Sequence, residues 1–472
     1  MNAIESITIG PLTYRLKYSG NYAVDCEVSA CDRDYHGEIN IPFFLELEQE
    51  FQQCPITRIG KGAFANCKGI TRIIISAEVT QIEDEAFRYC TKVKEIKLPA
   101  GLKEIGAEAF KYCCCLSAVQ IPEGVTRIGA EAFQYCSLLE EVVLPSGIDS
   151  IGVNSFDSCV KLSRFVIGDG VREIESGICN GCESLCELSL PDTVTRISES
   201  AFLDCINLEK LSLPQSLKEI ASRAFAGCVK IKELNFPQGL QRISTNAFQG
   251  CSNLKRINLP EGLNYLSGFS ECSSLVELKI PTSVRLIGER AFAGCTKLKK
   301  VEIPKDTNIG WFSFTGCIGL KELIIHGGDG VIISSFAFSD CTGLSKVIIE
   351  NTIDSIKDGA FSNCSSLTEI RIPSGTRDLE GNNEYCKGAF EDCSCLTRIY
   401  IPNSVSVIKK GTFRNCIKLK DVYCEDKEPD VIWGAFRNCP RTLIIHWAGG
   451  SKSGFEDSQD DIENDLRNNF LL

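Results

Sequence analysis

No apolar run in this 472-residue chain approaches the roughly 18 residues that a membrane-spanning helix needs, so nothing is expected to cross a bilayer. Basic residues are in deficit. Fifty Lys and Arg stand against 62 Asp and Glu, leaving a net charge of -12. That balance argues against nucleic acid, whose phosphates demand a basic face, and against docking on an anionic membrane. The opening stretch from Met1 to Thr8 holds no basic segment and no apolar run, so no secretory leader is expected there. Histidine is scarce. His36, His326 and His446 are the three present, and none lies in a serine or cysteine motif that would make a nucleophile–base pair. No enzymatic activity and no cofactor are expected.

Cysteine, by contrast, numbers 27, and most of it recurs on a fixed period. Cys67, Cys90, Cys113, Cys136, Cys159, Cys182, Cys205, Cys228 and Cys251 follow one another at intervals of 23. Cys272, Cys295, Cys317, Cys341, Cys364, Cys393, Cys416 and Cys439 continue the series at spacings of 21, 23, 22, 24, 23, 29, 23 and 23. Such a period means a stacked repeat with one continuous core, which overrides the separate domains that the length would suggest. Stacked strands lie ~4.8 Å apart with parallel side chains, whereas a disulfide wants Cβ atoms ~3.8 Å apart and turned together. The repeat cysteines therefore read as a structural ladder of buried free thiols acting as small hydrophobes, which suits a reducing setting. Cys179-x-x-Cys182 has metal-like spacing, but Cys182 already belongs to the interior file, and Cys113-Cys114-Cys115 has the same limitation. No metal site is expected.

A clean copy of the repeat runs from Leu116 to Cys136. Its first part, L-x-x-V-x-I-P, alternates as a short strand does. Val119 and Ile121 should face the core, Ala118 and Gln120 should face out, and Pro122 should end the strand. The next part, V-x-x-I-G, should return the chain across the far side, with Gly129 supplying the turn, as Gly60, Gly106, Gly152 and Gly288 do in their repeats. The last part, A-x-A-F-x-x-C, is too short for a stable helix and predicts one helical or 3-10 turn. The fold class is thus a strand-dominated α/β repeat. It is a right-handed solenoid with a parallel concave sheet of about 17 strands and short helical or 3-10 turns. Its parts are an N-terminal β capping module at 1–55, the array at 56–447, and a C-terminal linker with an acidic capping helix or tail at 448–472.

Two outward columns follow from the register. The residue five after each repeat cysteine, from Arg72 and Glu95 to Arg398 and Asp421, alternates in sign with one neutral break at Ala118. Opposite charges should then meet across every strand gap as a structural zipper. The residue seven after each cysteine is small and polar in mid-chain (Ser189, Ser212, Asn235, Asn258) and becomes apolar and aromatic towards the C-terminus. Ile324, Ile348, Arg371, Tyr400 and Tyr423 of this column form the candidate protein-contact patch on the concave face, because exposed aromatics concentrate binding energy. His326, in I-I-H-G-G-D-G, starts a Gly-rich turn that opens no helix, so a phosphate cradle is not expected. The unit from Cys364 to Cys393 is 29 long, with its extra residues within Arg377–Tyr385, read as a surface loop. Beyond Trp447, a capping sequence at Ser458–Asp461 precedes Ile462, Leu466 and Phe470, spaced for one helix face.

The motifs I-G-A-E-A-F-Q-Y-C (128–136), I-G-E-R-A-F-A-G-C-T-K-L-K-K-V-E-I-P (287–304) and L-T-E-I-R-I-P (367–373) resemble the BspA-like leucine-rich repeats over roughly residues 56–440. The opening also resembles that family, with Leu12–Leu16 and Ala23-Val24 as edge strands and Ile39-Asn40-Ile41-Pro42 as the first strand of the sheet. The resemblance implies a non-enzymatic, ligand-binding scaffold, displayed at the cell surface or secreted. Its partner would be a host extracellular-matrix protein or a microbial surface protein. The alternative is an intracellular leucine-rich-repeat adaptor, which fits a cytoplasmic setting and the thiols. A monomer is expected.

Overall fold

A computed structural model describes residues 4–19, 22–47, 52–381 and 387–453. Residues 382–385 of the Arg377–Tyr385 insertion, Cys386 and the predicted helix at 462–470 lie outside the described residues. The chain divides into two compact units, residues 1–231 and 232–472.

The first unit opens with antiparallel strands β1 (Ile4–Ile9), β2 (Leu12–Ser19) and β3 (Tyr22–Cys31). The edge strand is therefore β1, and both the Leu12–Leu16 and the Ala23-Val24 stretches lie inside the sheet. The strand β4 (Gly37–Asn40) heads the near-face ladder, and β5 (Phe44–Leu47) pairs with β6 (Gln52–Ile59). From β6 onward most coils contribute a near strand, such as β7 (Ile70–Ile74) and β9 (Glu95–Lys97), and a two-residue far strand, such as β8 (Gln81–Ile82). Near pairs with near and far with far, all in parallel: Ile73 opposes Ile96, and Ile82 opposes Ile105. The second unit repeats this scheme. Its near strands end with Glu369–Arg371, Arg398–Ile401, Asp421–Cys424 and Ile444–Trp447, and an antiparallel strand at Gly450–Ser453 closes them.

Alternation fixes what is buried. Val119 and Ile121 are buried while Ala118 and Gln120 are exposed. One phenylalanine per coil sits three residues before most repeat cysteines and stacks on its neighbours. Centroids of Phe64, Phe87 and Phe110 are 4.9 and 5.2 Å apart in the first unit, and those of Phe292, Phe314 and Phe338 are 5.2 Å apart in the second. Cys179 occupies this phenylalanine position, which explains its spacing from Cys182: its carbonyl accepts the thiol of Cys205 at 3.3 Å. The repeat cysteines are more than small hydrophobes. Cys90 donates to the carbonyl of Phe64 at 3.1 Å, Cys136 to Phe110 at 3.3 Å, Cys295 to Phe269 at 3.2 Å and Cys416 to Phe390 at 3.2 Å. Each such thiol ties its coil to the one before. Burial pushes the Cys393 thiol up to about 12.

Three expectations need correction. First, no helix forms among the described residues, and the segment is instead a run of separate single turns. Along A-x-A-F-x-x-C, alternate amides leave for the next coil: Glu85, Phe87 and Tyr89 donate to Ala107, Ala109 and Lys111 at 2.7, 2.7 and 2.8 Å. The amides between them close four-residue turns, as Arg88 does to Glu85 at 3.0 Å. A helix would spend every donor within its own coil. The alternation needs left-handed φ at two positions per coil, here Glu85 (φ 58) and Tyr89 (φ 61). Second, Gly106, Gly129 and Gly152 do not have left-handed φ. They are glycines because a Cβ on Gly129 would lie 2.3 Å from the Ala107 nitrogen, and one on Gly152 would lie 2.2 Å from that of Ala130. Close approach of backbones, not turn geometry, selects them.

Third, the near-face ladder is not one hydrogen-bonded sheet of about 17 strands. It breaks into groups of two to five. The breaks follow the charge column. Ion pairs join Arg72 to Glu95 (3.3 Å) and Lys210 to Glu187 (3.4 Å) in the first unit. In the second they join Arg256 to Glu233 (3.3 Å), and both Lys300 (3.5 Å) and Lys346 (2.6 Å) to Glu322. Each of these couples paired strands. Among the described residues no ion pair crosses the gap after Arg164 or after Lys346, and there the ladder stops. At the neutral Ala118 only an isolated bridge to Glu95 remains. The charges are exposed, so each pair contributes only ~0–1 kcal/mol, but they sit where the strands need drawing together.

Candidate protein-contact strip

The near strands of the second unit hold the candidate residues in register. Ile324 opposes Ile348 across one pair of strands. Arg371 opposes Tyr400, Tyr400 opposes Tyr423, and Tyr423 opposes His446 across the last four parallel strands. The five candidates thus fall into an aliphatic pair and an aromatic file, separated by the gap that follows Lys346.

Parallel strands are spaced ~4.8 Å apart, which is also a good stacking distance for flat side chains. The file uses this. The guanidinium carbon of Arg371 lies 4.4 Å from the centroid of Tyr400. The rings of Tyr400 and Tyr423 stack at 5.0 Å and 15°, and those of Tyr423 and His446 at 4.8 Å and 14°. Asp421 anchors the last ring by accepting from Nε2 of His446 at 2.9 Å. Stacking covers the faces, so Tyr400 and Tyr423 are half-buried and show their edges, while Arg371 is exposed. Arg371 has no carboxylate within ion-pair distance among the described residues, unlike Arg398 in the next coil, which meets Glu369 at 3.6 Å. Beside the file is an open pocket of 130 Å³ walled by Arg371, Tyr400, Pro402, Tyr423, Cys424 and Glu425. Glu425 is held by Ser374 Oγ at 3.3 Å and the amide of Asn403 at 3.1 Å.

Next to the aliphatic pair, His326 is clamped between carboxylates. Nδ1 lies 2.6 Å from Glu350 and Nε2 lies 2.9 Å from Glu302. Those hydrogen bonds, to Glu302 first and Glu350 second, hold the imidazole's pKa above its ordinary value.

His446, Pro402 and Glu425 complete the site without having been chosen from the sequence, although His446 continues the same column. Two other aromatic groups lie outside the strands. Tyr89, Tyr112 and Tyr135 stack at 4.7 and 4.6 Å beside Arg88 and Lys111. Trp311 is 60% exposed next to the Phe312–Phe336 stack at 5.0 Å. Three tyrosines each standing one residue before a repeat cysteine were a visible signal for the first.

The family model for the BspA type leucine rich repeat region (6 copies) matches residues 57–186, 172–270, 266–383 and 383–449. The chain belongs to that family. Among solved structures it is similar to a leucine-rich repeat protein from Bacteroides ovatus, with 25% identity, a TM-score of 0.62, and coverage of 93% of this chain and 99% of that one. It is also similar to a leucine rich cell surface protein from Faecalibacterium prausnitzii, at 23% identity and a TM-score of 0.42, covering 93% and 98% of the two chains. No curated protein matches. The fold is a strand-dominated parallel solenoid of the leucine-rich-repeat kind. BspA-type proteins are generally protein-interaction scaffolds without enzymatic activity.

Proposed function

We propose that this protein captures a protein partner with the strip formed by Ile324, Ile348, Arg371, Tyr400 and Tyr423, acting as an adhesive scaffold for an extracellular-matrix or microbial surface protein. The observation that supports this reading is the stacked file Arg371–Tyr400–Tyr423–His446. It combines Tyr and Arg, the residue types that dominate interface energetics, in a rigid arrangement. Stacking fixes their rotamers before a partner arrives, which lowers the entropy lost on binding. Immobilised matrix proteins are the probe. Changing Tyr400→Ser and Tyr423→Ser together removes two anchors at ~2 kcal/mol each and should weaken capture by roughly 100-fold or more. The control is Tyr89→Ser with Tyr112→Ser, which breaks an equivalent stack elsewhere and should leave capture intact. Unchanged capture by the first pair would refute the strip.

A further inference from the structure

We infer that the open edge of β1 pairs with the same edge of a second copy of this chain, forming an antiparallel two-fold dimer centred on Ile7. Among the described residues β1 pairs with β2 alone, so one side of its backbone is unspent. Natural edges of this length are blunted by lysine, proline, a bulge or a covering loop. Among the described residues the strand Ile4–Ile9 shows none of these: Glu5 is its one charge, and its register with β2 is unbroken. By contrast, the strand at the other end, Gly450–Ser453, carries Lys452 tied to Glu428 at 3.1 Å and no aliphatic side chain.

The edge is complementary to itself in two independent respects. A two-residue turn, Gly10-Pro11, joins β1 to β2, so Ile9 and Leu12 form its hydrogen-bonded closing pair. Bonded and unbonded pairs then alternate, which turns the backbone groups of Ser6 and Thr8 to the open side. In the register centred on Ile7, Ser6 of each copy meets Thr8 of the other, so those groups satisfy one another reciprocally. The same register keeps the sheet faces continuous. Ile7 and Ile9 lie on the face of buried Tyr14 and Leu12, yet Ile9 is 51% exposed, and among the described residues no strand continues the sheet beyond it. A second β1 would continue it and set Ile7 against Ile7.

Sedimentation equilibrium on the full chain, from low to several hundred micromolar, should give a mass rising towards twice 51.9 kDa. Ser6 and Thr8 side chains are exposed on the outer face, so S6K/T8K keeps the hairpin but sets ammonium groups against each other across the axis. That variant should stay monomeric with an unchanged circular dichroism spectrum. In S6E/T8K each introduced carboxylate faces an introduced ammonium of the other copy, and dimerisation should return. A wild-type chain that stays monomeric, a dimeric S6K/T8K, or a monomeric S6E/T8K would each overturn the inference.

Discussion

Replacing Gly129 by alanine tests the close approach of successive coils. Gly129 has ordinary φ, so the backbone itself tolerates a side chain. The space does not. The new Cβ would lie 2.3 Å from the Ala107 nitrogen, 2.5 Å from the Gly106 carbonyl carbon and 2.7 Å from the Ala107 Cα. All three are backbone atoms, so no side chain can rotate away. Relief requires moving the coils apart, and that stretches the bond from the Gly129 amide to the Ile105 carbonyl, now 2.8 Å. Overpacking costs ~1–3 kcal/mol and a weakened hydrogen bond ~0.5–1.5. The expected loss is therefore about 2–4 kcal/mol. Gly294→Ala is the comparison. Its φ is +72°, but a Cβ there meets nothing closer than 3.6 Å, so only the left-handed backbone is penalised, at ~1 kcal/mol. Alanine stiffens the unfolded chain equally in both, so that contribution drops out of the difference. Urea denaturation followed by circular dichroism gives the two losses, and hydrogen exchange at Gly129 shows whether the damage is local. If Gly294→Ala costs as much as Gly129→Ala or more, the close-approach account is wrong.

Thiol reactivity should sort by position. Cys186 is exposed and should react with an aromatic disulfide reagent in the native protein, while Cys136, Cys182 and Cys295, buried and donating to carbonyls, should react only on unfolding. Labelling of these three at the rate of Cys186 would contradict the burial. His326 should make stability depend on pH. Its pKa is raised in the folded state by Glu302 and Glu350, so its contribution is complete below its unfolded value of ~6.5 and is lost as pH rises through the folded value. Thermal melts of the wild type and His326→Gln from acidic to alkaline pH should converge on the alkaline side.

The period was legible because stacking demands the same residue at the same place in every coil. Phe133 and Cys136 could be assigned to the interior from one repeat, since their neighbours in the file carry the same residues. What a single repeat does not display is where its amides go. A-x-A-F-x-x-C reads as a turn of helix by length, but Phe87 and Tyr89 spend their amides on the next coil. A clue to that was present one residue before the repeat cysteines, at Asn66, Gly227, Gly250, Gly294 and Asn415, residues that accept left-handed φ at little cost. Gly129 was misassigned for the opposite reason: glycine signals either unusual φ or unusual proximity, and only coordinates separate them. The candidate strip was partly legible. Tyr400 and Tyr423 lie seven residues after their cysteines, which put them on one face, whereas the wall made by Pro402 and Glu425 depends on how the next turn folds over.

The two outward columns differ in whether the chain satisfies the charges they carry. Five residues after the cysteine, Arg398 meets Glu369 at 3.6 Å and Asp421 meets His446 at 2.9 Å. Those charges hold strands together and have little left to offer a partner. Seven residues after the cysteine, Arg371 lies over the face of Tyr400 at 4.4 Å and meets no carboxylate at ion-pair distance among the described residues. A guanidinium over an aromatic face keeps its in-plane donors free, so Arg371 stays oriented while its donors remain available. A repeat array turns most of its regularity inward, into files that stack and bond with themselves. That regularity lapses between Ile348 and Arg371, where a strand pairing is missing and the outward column passes from aliphatic to aromatic side chains, and the proposed strip spans that lapse.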